Sequence, residues 1–168
     1  GWLTDAGYVV EEVEPPSLAE AAALWKTIAN AETVALMGDT IERLGDPDLR
    51  RSFAFMSAGT PPPDAVAHMK ALARRTALIR AWQLFFERYP LVLTPVSGEP
   101  PFPWGLDVEN ADSAARVIRG QETQFAVPLL GLPAISVPTG SAGGLPVGAQ
   151  LIGPRFREDL LLDAAQVI

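Results

Sequence analysis

His68 and Asp64 stand four residues apart, a spacing that puts an imidazole and a carboxylate on one face of a helix, where they would suit proton transfer. A stand-alone hydrolase built on that pair would need a hydroxyl nucleophile, and Ser136 or Ser141 would supply it. Both serines lie on other elements, so a surface histidine is the plainer reading. Arg74, Arg75 and Arg80 could grip a carboxylate bidentately. The solvated face of a helix explains them without any ligand. Glu11, Glu12 and Glu14 would surround a metal only if their strand bent, because alternate side chains point to opposite faces. A charged edge that resists aggregation is the simpler account. Gly140-Ser141-Ala142-Gly143-Gly144 fits neither the nucleophile elbow nor the phosphate loop, and strand-like runs on both sides make it a hairpin tip. With no cysteine and one histidine, the chain builds no thiolate zinc site, disulfide or cysteine nucleophile. The residues alone show no complete catalytic set.

The elements that would position these groups come from a chain of 168 residues, 48% hydrophobic and 20% charged, enough for one globular domain with a sizeable core. The net charge of -7 disfavours nucleic acid as a partner, since no basic stripe is left over to displace counterions. No apolar run approaches the roughly 18 residues of a membrane span, and no signal segment opens the chain, so a soluble, cytoplasmic protein without a membrane partner is expected.

Gly7 reads as a helix C-terminal signal, and Tyr8 to Val13 alternates as a short, exposed strand that Pro15 and Pro16 stop. Ser17 and Glu20 have capping-box spacing ahead of a helix from Leu18 to about Ala35. Gly38 and Gly45-Asp46-Pro47 break the next helical stretch, with Asp46 or Asp48 capping a turn that carries Leu49, Phe53 and Met56. Val66 to Phe86 keeps a 3.6 period and reads as the longest helix, with Trp82, Phe85 and Phe86 in the core. Leu91 to Leu93 reads as a buried strand, Val96 to Trp104 as an irregular proline-rich loop, and Ala111 to Gln124 as a helix. Ala134 to Pro138 and Val147 to Ile152 form a hairpin around a loop longer than two residues, and a terminal helix covers the sheet. Helix followed by apolar strand makes the class α/β.

Tyr89-Pro90-Leu91-Val92-Leu93-Thr94-Pro95, then Gly131-Leu132-Pro133-Ala134-Ile135-Ser136-Val137-Pro138-Thr139-Gly140, then Gly144-Leu145-Pro146-Val147-Gly148-Ala149-Gln150-Leu151-Ile152-Gly153 resembles the C-terminal half of the amidase signature family. Asp5 to Glu11 is similar to the element that opens that half, so the resemblance covers essentially the whole chain. It implies an α/β fold containing part of a mixed β-sheet flanked by helices, with residues 1–168 forming the C-terminal portion of a single domain. The family cleaves amides with a Ser, cis-Ser, Lys triad, in which a lysine kept neutral by burial acts as the base. No Gly-Gly-Ser-Ser string occurs here, and Lys26 and Lys70 lie in stretches without a match to the catalytic motif. The resemblance therefore implies that the triad lies outside this chain, with no cofactor, no metal and no catalytic residue within it.

By the same resemblance Thr94, Phe102, Trp104, Gln121 and Phe125 face the substrate. Arg51 (or Arg50) falls near the place where glutamine-specific relatives carry a carboxylate-binding arginine. Gln121 falls where such relatives hold the substrate amine with an aspartate, and a neutral amide cannot pair with an ammonium. The implied enzyme is a general amidase for uncharged or aromatic amides. Its partners are a small amide substrate and the N-terminal half, whose absence would leave a sheet edge and apolar face prone to homodimerisation or aggregation. The alternative is a non-catalytic binding or assembly module of the same fold.

Overall fold

The computed structural model describes residues 1–58 and 60–168. Helices α1 (Trp2–Asp5), α2 (Leu18–Leu44), α3 (Pro47–Ala58) and α4 (Ala65–Phe86) precede strand β1 (Val92–Pro95). Helices α5 (Leu106–Glu109), α6 (Ala111–Gly120) and α7 (Glu122–Leu130) lead to β2 (Ala134–Ala142), β3 (Leu145–Ile152) and α8 (Glu158–Ala165). The α/β expectation holds. The strands form one sheet in the order β1-β3-β2, and every pairing within this chain is antiparallel.

Period-two alternation divides the sheet between two cores. Val92 and Ile152, register partners on β1 and β3, join the larger core with Trp82 and Phe86 of α4, Ile28 of α2 and Leu130 of α7. Leu151 faces the other way and packs with Leu161 and Ala164 of α8. Trp82, Leu130, Leu151 and Ile152 are fully buried, and each such side chain contributes about 1.5–3 kcal/mol by leaving water.

The capping residues act at the expected places. The Ser17 hydroxyl accepts from Glu20 N–H at 3.1 Å, and Asp46 Oδ1 accepts from Asp48 and Leu49 N–H at 2.9 and 2.8 Å. Glu20 does not complete a capping box, because its carboxylate receives Arg74 of α4 instead. The loop from Val96 to Trp104 is irregular, as expected.

Several boundaries differ from the sequence expectation. Tyr8 to Val13 forms no strand and pairs with none, and Val9 is 88% exposed. Alternation says which side chains would share a face, whereas a strand exists only where the backbone meets a ladder partner. Helix α2 runs through Gly38 to Leu44 and, with 27 residues against 22 in α4, is the longest helix. An isolated glycine costs a helix only about 1 kcal/mol, less than packing along the rest of α2 returns. β1 lies at the sheet edge with Leu93 half exposed, so it is not a buried strand. The helix expected over Ala111 to Gln124 is two, jointed at Gln121. The hairpin is tight: Ala142 pairs with Leu145, and Gly143 and Gly144 make a two-residue turn with φ of 60° and 80°, as a type I′ turn requires. Pro138 fits because β2 is an edge strand, and Pro146 because β1 pairs only with the far end of β3.

Candidate active-site cleft

The sheet face that carries Thr94, Gln150 and Ser136 in register runs outward into a cleft of about 1050 Å³. Pro138, Pro146 and Gly148 of the hairpin form one side. Ser52 and Met56 of α3 and Leu106 and Asp107 of α5 form another. Helix α6 lays Ala114, Val117 and Ile118 along the wall, and the series continues through Gln121 at the joint to Phe125 on α7. The remaining side is the loop from Val96 to Pro103.

That loop has few hydrogen bonds of its own and is held from outside. Gly98 N–H donates to Gly120 C=O at 2.7 Å, and the Ser97 hydroxyl donates to the same oxygen at 3.0 Å. The Gln124 side-chain amide donates to Val96 C=O at 2.8 Å and to buried Gln150 Oε1 at 3.2 Å, tying α7, loop and central strand together. Phe102 lies directly on Gly120, where an added Cβ would stand 2.5 Å from its Cζ. Arg116 of α6 donates to Glu99 Oε2 from Nε and Nη2, at 2.8 and 2.6 Å. Those bonds hold the Glu99 carboxyl below the ordinary value of 4.5 against an opposing desolvation effect, so it is an anion at neutral pH. Across the cleft the Ser52 hydroxyl donates to Asp107 at 2.9 Å.

The structure brings Phe102, Gln121 and Phe125 together on the wall. Gln121 lines the cleft, and its side chain makes no hydrogen bond among the described residues. Thr94 sits one residue behind the lining, its hydroxyl buried and without a partner among the described residues. Arg51 and Trp104 are placed elsewhere. Arg51 is half exposed and outside the lining, contacting Val108 C=O of α5 at 3.4 Å and Asp48 at 3.9 Å, and Trp104 projects fully into solvent. Sequence reasoning missed Ser52, Met56 and Asp107, whose approach depends on how α3 and α5 cross, and Glu99, which Arg116 of α6 holds in the loop. The α6 residues were findable, since Ala114, Val117, Ile118 and Gln121 keep an i, i+3, i+4, i+7 spacing.

The other candidate groups have structural duties. Asp64 caps α4 by accepting from Ala67 N–H at 2.7 Å, so its carboxylate is not given to His68. Arg74 does grip a carboxylate bidentately, but the carboxylate is Glu20 of its own chain. Arg75 and Arg155 donate to Leu129 and Leu130 C=O, satisfying carbonyls at the end of α7. Ser141 stands near the hairpin tip, whereas Ser136 lines the cleft. The described lining contains neither histidine nor lysine. No group of three or more potential metal ligands occurs among the described residues, and none of their helices is long and apolar enough to cross a membrane.

A small sheet under helices, with a large and mainly apolar cleft at its strand ends, is the architecture of a small-molecule site, and among the described residues its lining holds carboxylates and hydroxyls but neither histidine nor lysine. The chain belongs to the amidase family: the model of that family, Amidase, matches residues 1–162. It is 39% identical over 168 residues to an indoleacetamide hydrolase of Bradyrhizobium japonicum, covering 99% of this chain and 36% of the relative. A glutamyl-tRNA(Gln) amidotransferase subunit of Streptococcus equi subsp. zooepidemicus is 43% identical over 96 residues, 57% of this chain and 19% of that protein. Among solved structures, the corresponding glutamyl-tRNA(Gln) amidotransferase subunit of Thermotoga maritima superposes with a TM-score of 0.74 at 27% identity, over 99% of this chain and 36% of that one. The allophanate hydrolase of Kluyveromyces lactis shares the fold, with a TM-score of 0.79 at 24% identity over 99% of this chain and 27% of that one. The chain thus spans about a third of the length of the curated hydrolase it matches throughout.

Proposed function

We propose that these residues are the C-terminal portion of an amidase that converts an uncharged, aromatic carboxylic amide to its acid and ammonia, with the Ser, cis-Ser, Lys triad supplied by the N-terminal half. The observation that carries the reading is the cleft: it is built to hold an apolar group, yet its described lining has no histidine or lysine to activate a hydroxyl. In the proposed reaction a serine oxygen from the other half attacks the amide carbon, the C–N bond breaks as the nitrogen takes a proton, and water frees the acid from the ester. This chain contributes position. Phe102 and Phe125 hold the apolar group, while Gln121, a neutral side chain, lines the cleft in place of a carboxylate and so favours a neutral substrate over glutamine. The match to an indoleacetamide hydrolase along 99% of this chain supports the aromatic preference. In this reading the intact enzyme works in the cytoplasm, and the chain alone is inactive and prone to self-association.

Release of ammonia from indoleacetamide and from glutamine tests the proposal, using this chain alone and co-expressed with the N-terminal half. Activity only in the combined form, and at least tenfold greater with indoleacetamide, is expected. Turnover by the isolated chain that disappears with Ser136→Ala would overturn it, as would a combined form that folds but cleaves neither amide.

A further inference from the structure

Behind the cleft wall lies a second space of about 100 Å³, a partly open recess where α2, α3, α6 and α7 meet and whose lining residues are half-buried. Trp25, Ala29 and Thr33 follow one another at four-residue intervals on one face of α2 and line it, and Phe53 of α3 lies across from them. Met56, Ile118 and Phe125 line both this recess and the cleft, so these three side chains are the partition between the two spaces.

The partition has one fixed panel and one adaptable one. Phe125 stacks on Trp25 with ring centroids 4.5 Å apart and an interplanar angle of 22°, which holds its ring flat against the recess. Met56 is unbranched, with a thioether that turns about soft bonds and packs well on aromatic surfaces. The Asn30 amide, at the recess edge, is committed: it donates to Thr60 C=O at 2.6 Å and accepts from the Ser57 hydroxyl at 2.9 Å. Lys26, half buried, also lines the recess, and a lysine stem covers apolar surface while its end stays in water. A space with aromatic walls and an engaged amide favours an uncharged ring over an ion, which would lose its hydration without replacement. Its size narrows the choice, since an apolar cavity of about 150 Å³ holds benzene. A recess of about 100 Å³ admits one ring only when a wall residue moves, and Met56 is the residue able to do so.

We propose that the Met56, Ile118 and Phe125 partition sets the ligand specificity of the cleft, and that the recess behind it receives a single uncharged aromatic ring when Met56 turns aside. The inference deepens the amidase reading by naming where the aromatic group goes, but its test needs no catalysis. Phenylacetone, a ketone with no C–N bond to cleave, is titrated into the full protein carrying 13C-methyl methionine, with Met56 assigned through Met56→Leu. The Met56 methyl resonance should shift with saturation, while those of Met37 and Met69, both largely exposed on other surfaces, stay in place. Ala29→Leu fills the recess from α2 and should weaken phenylacetone at least tenfold. Thr33→Leu fills it from the next turn and decides the matter should the first variant lose its circular dichroism spectrum. Met56→Ala should bind the bicyclic naphthylacetone at least tenfold more tightly than the parent does. Absence of saturable binding, binding that leaves Met56 unmoved, or equal affinity in a folded recess-filling variant would overturn the proposal, whatever the protein does to amides.

Discussion

Gly120→Ala tests whether the cleft loop is held by the contact between Phe102 and a bare backbone. The new Cβ would stand 2.5 Å from Phe102 Cζ and 3.4 and 3.5 Å from Cε2 and Cε1. Carbon atoms rest about 3.5–4.0 Å apart, so the ring edge must withdraw by roughly 1 Å. It cannot do so freely. Pro101 and Pro103 flank Phe102, and Ser97 and Gly98 are bonded to the Gly120 carbonyl itself. Overpacking of this kind costs about 1–3 kcal/mol. The opposing gain from replacing a helical glycine is at most about 1 kcal/mol, and less at the last residue of α6. The balance is a loss of about 1 kcal/mol, which lowers a urea midpoint by roughly 0.5 M at the usual denaturant dependence of about 2 kcal/mol per M. The decisive assay is a double-mutant cycle. In a Phe102→Ala background the collision is gone, so Gly120→Ala should become neutral or slightly stabilising, and the coupling should reach about 1 kcal/mol. Equal effects in both backgrounds, or a single variant more stable than the parent, would refute the argument that this contact seats the loop.

Two further outcomes follow from the same geometry. Gln124→Leu strips a hydrogen bond from Val96 C=O and another from the buried Gln150 amide, so it should cost about 1–3 kcal/mol in chemical denaturation, and Gln124→Glu should not restore the parent because its carboxylate cannot donate. The carboxyls of Glu20, Glu99 and Asp159 all titrate below their ordinary values because Arg74, Arg116 and Arg157 hydrogen-bond to them. Groups with lowered folded values add stability that is fully present above the unfolded pKa and is lost as pH falls through the folded one. The thermal midpoint should therefore decline below about pH 4.5, and Glu99→Gln should flatten part of that decline while leaving the slope above pH 6 unchanged, as followed by circular dichroism.

Much of the scaffold was legible because its signals are local. Ser17 and Asp46 cap helices with their own side chains, and Gly7 adopts the positive φ that its place after a short helix requires. Where expectation and structure differ, the deciding partner is distant. Tyr8 to Val13 has the pattern of a strand but pairs with none, and the tight Gly143-Gly144 turn forms because Pro138 lies on an edge strand and β1 stops short of Pro146. Phe102, Gln121 and Phe125 do meet in one cleft, whereas Arg51 and Trp104 stand outside it, since proximity along a chain does not say which way a helix or loop turns its side chains.

The amino-acid order by itself determined the α/β class, the capping by Ser17 and Asp46, the family resemblance, and the absence of cysteine and of a second histidine. These rest on composition, period and spacing, which act over a few residues. Only the tertiary structure decided that Ser52, Met56, Glu99 and Asp107 share a cleft with the hairpin, that Gly120 seats Phe102, and that Met56, Ile118 and Phe125 divide that cleft from an aromatic recess. The physical reason is that a wall is made by packing between elements far apart in sequence, and its geometry comes into being only when they close on one another.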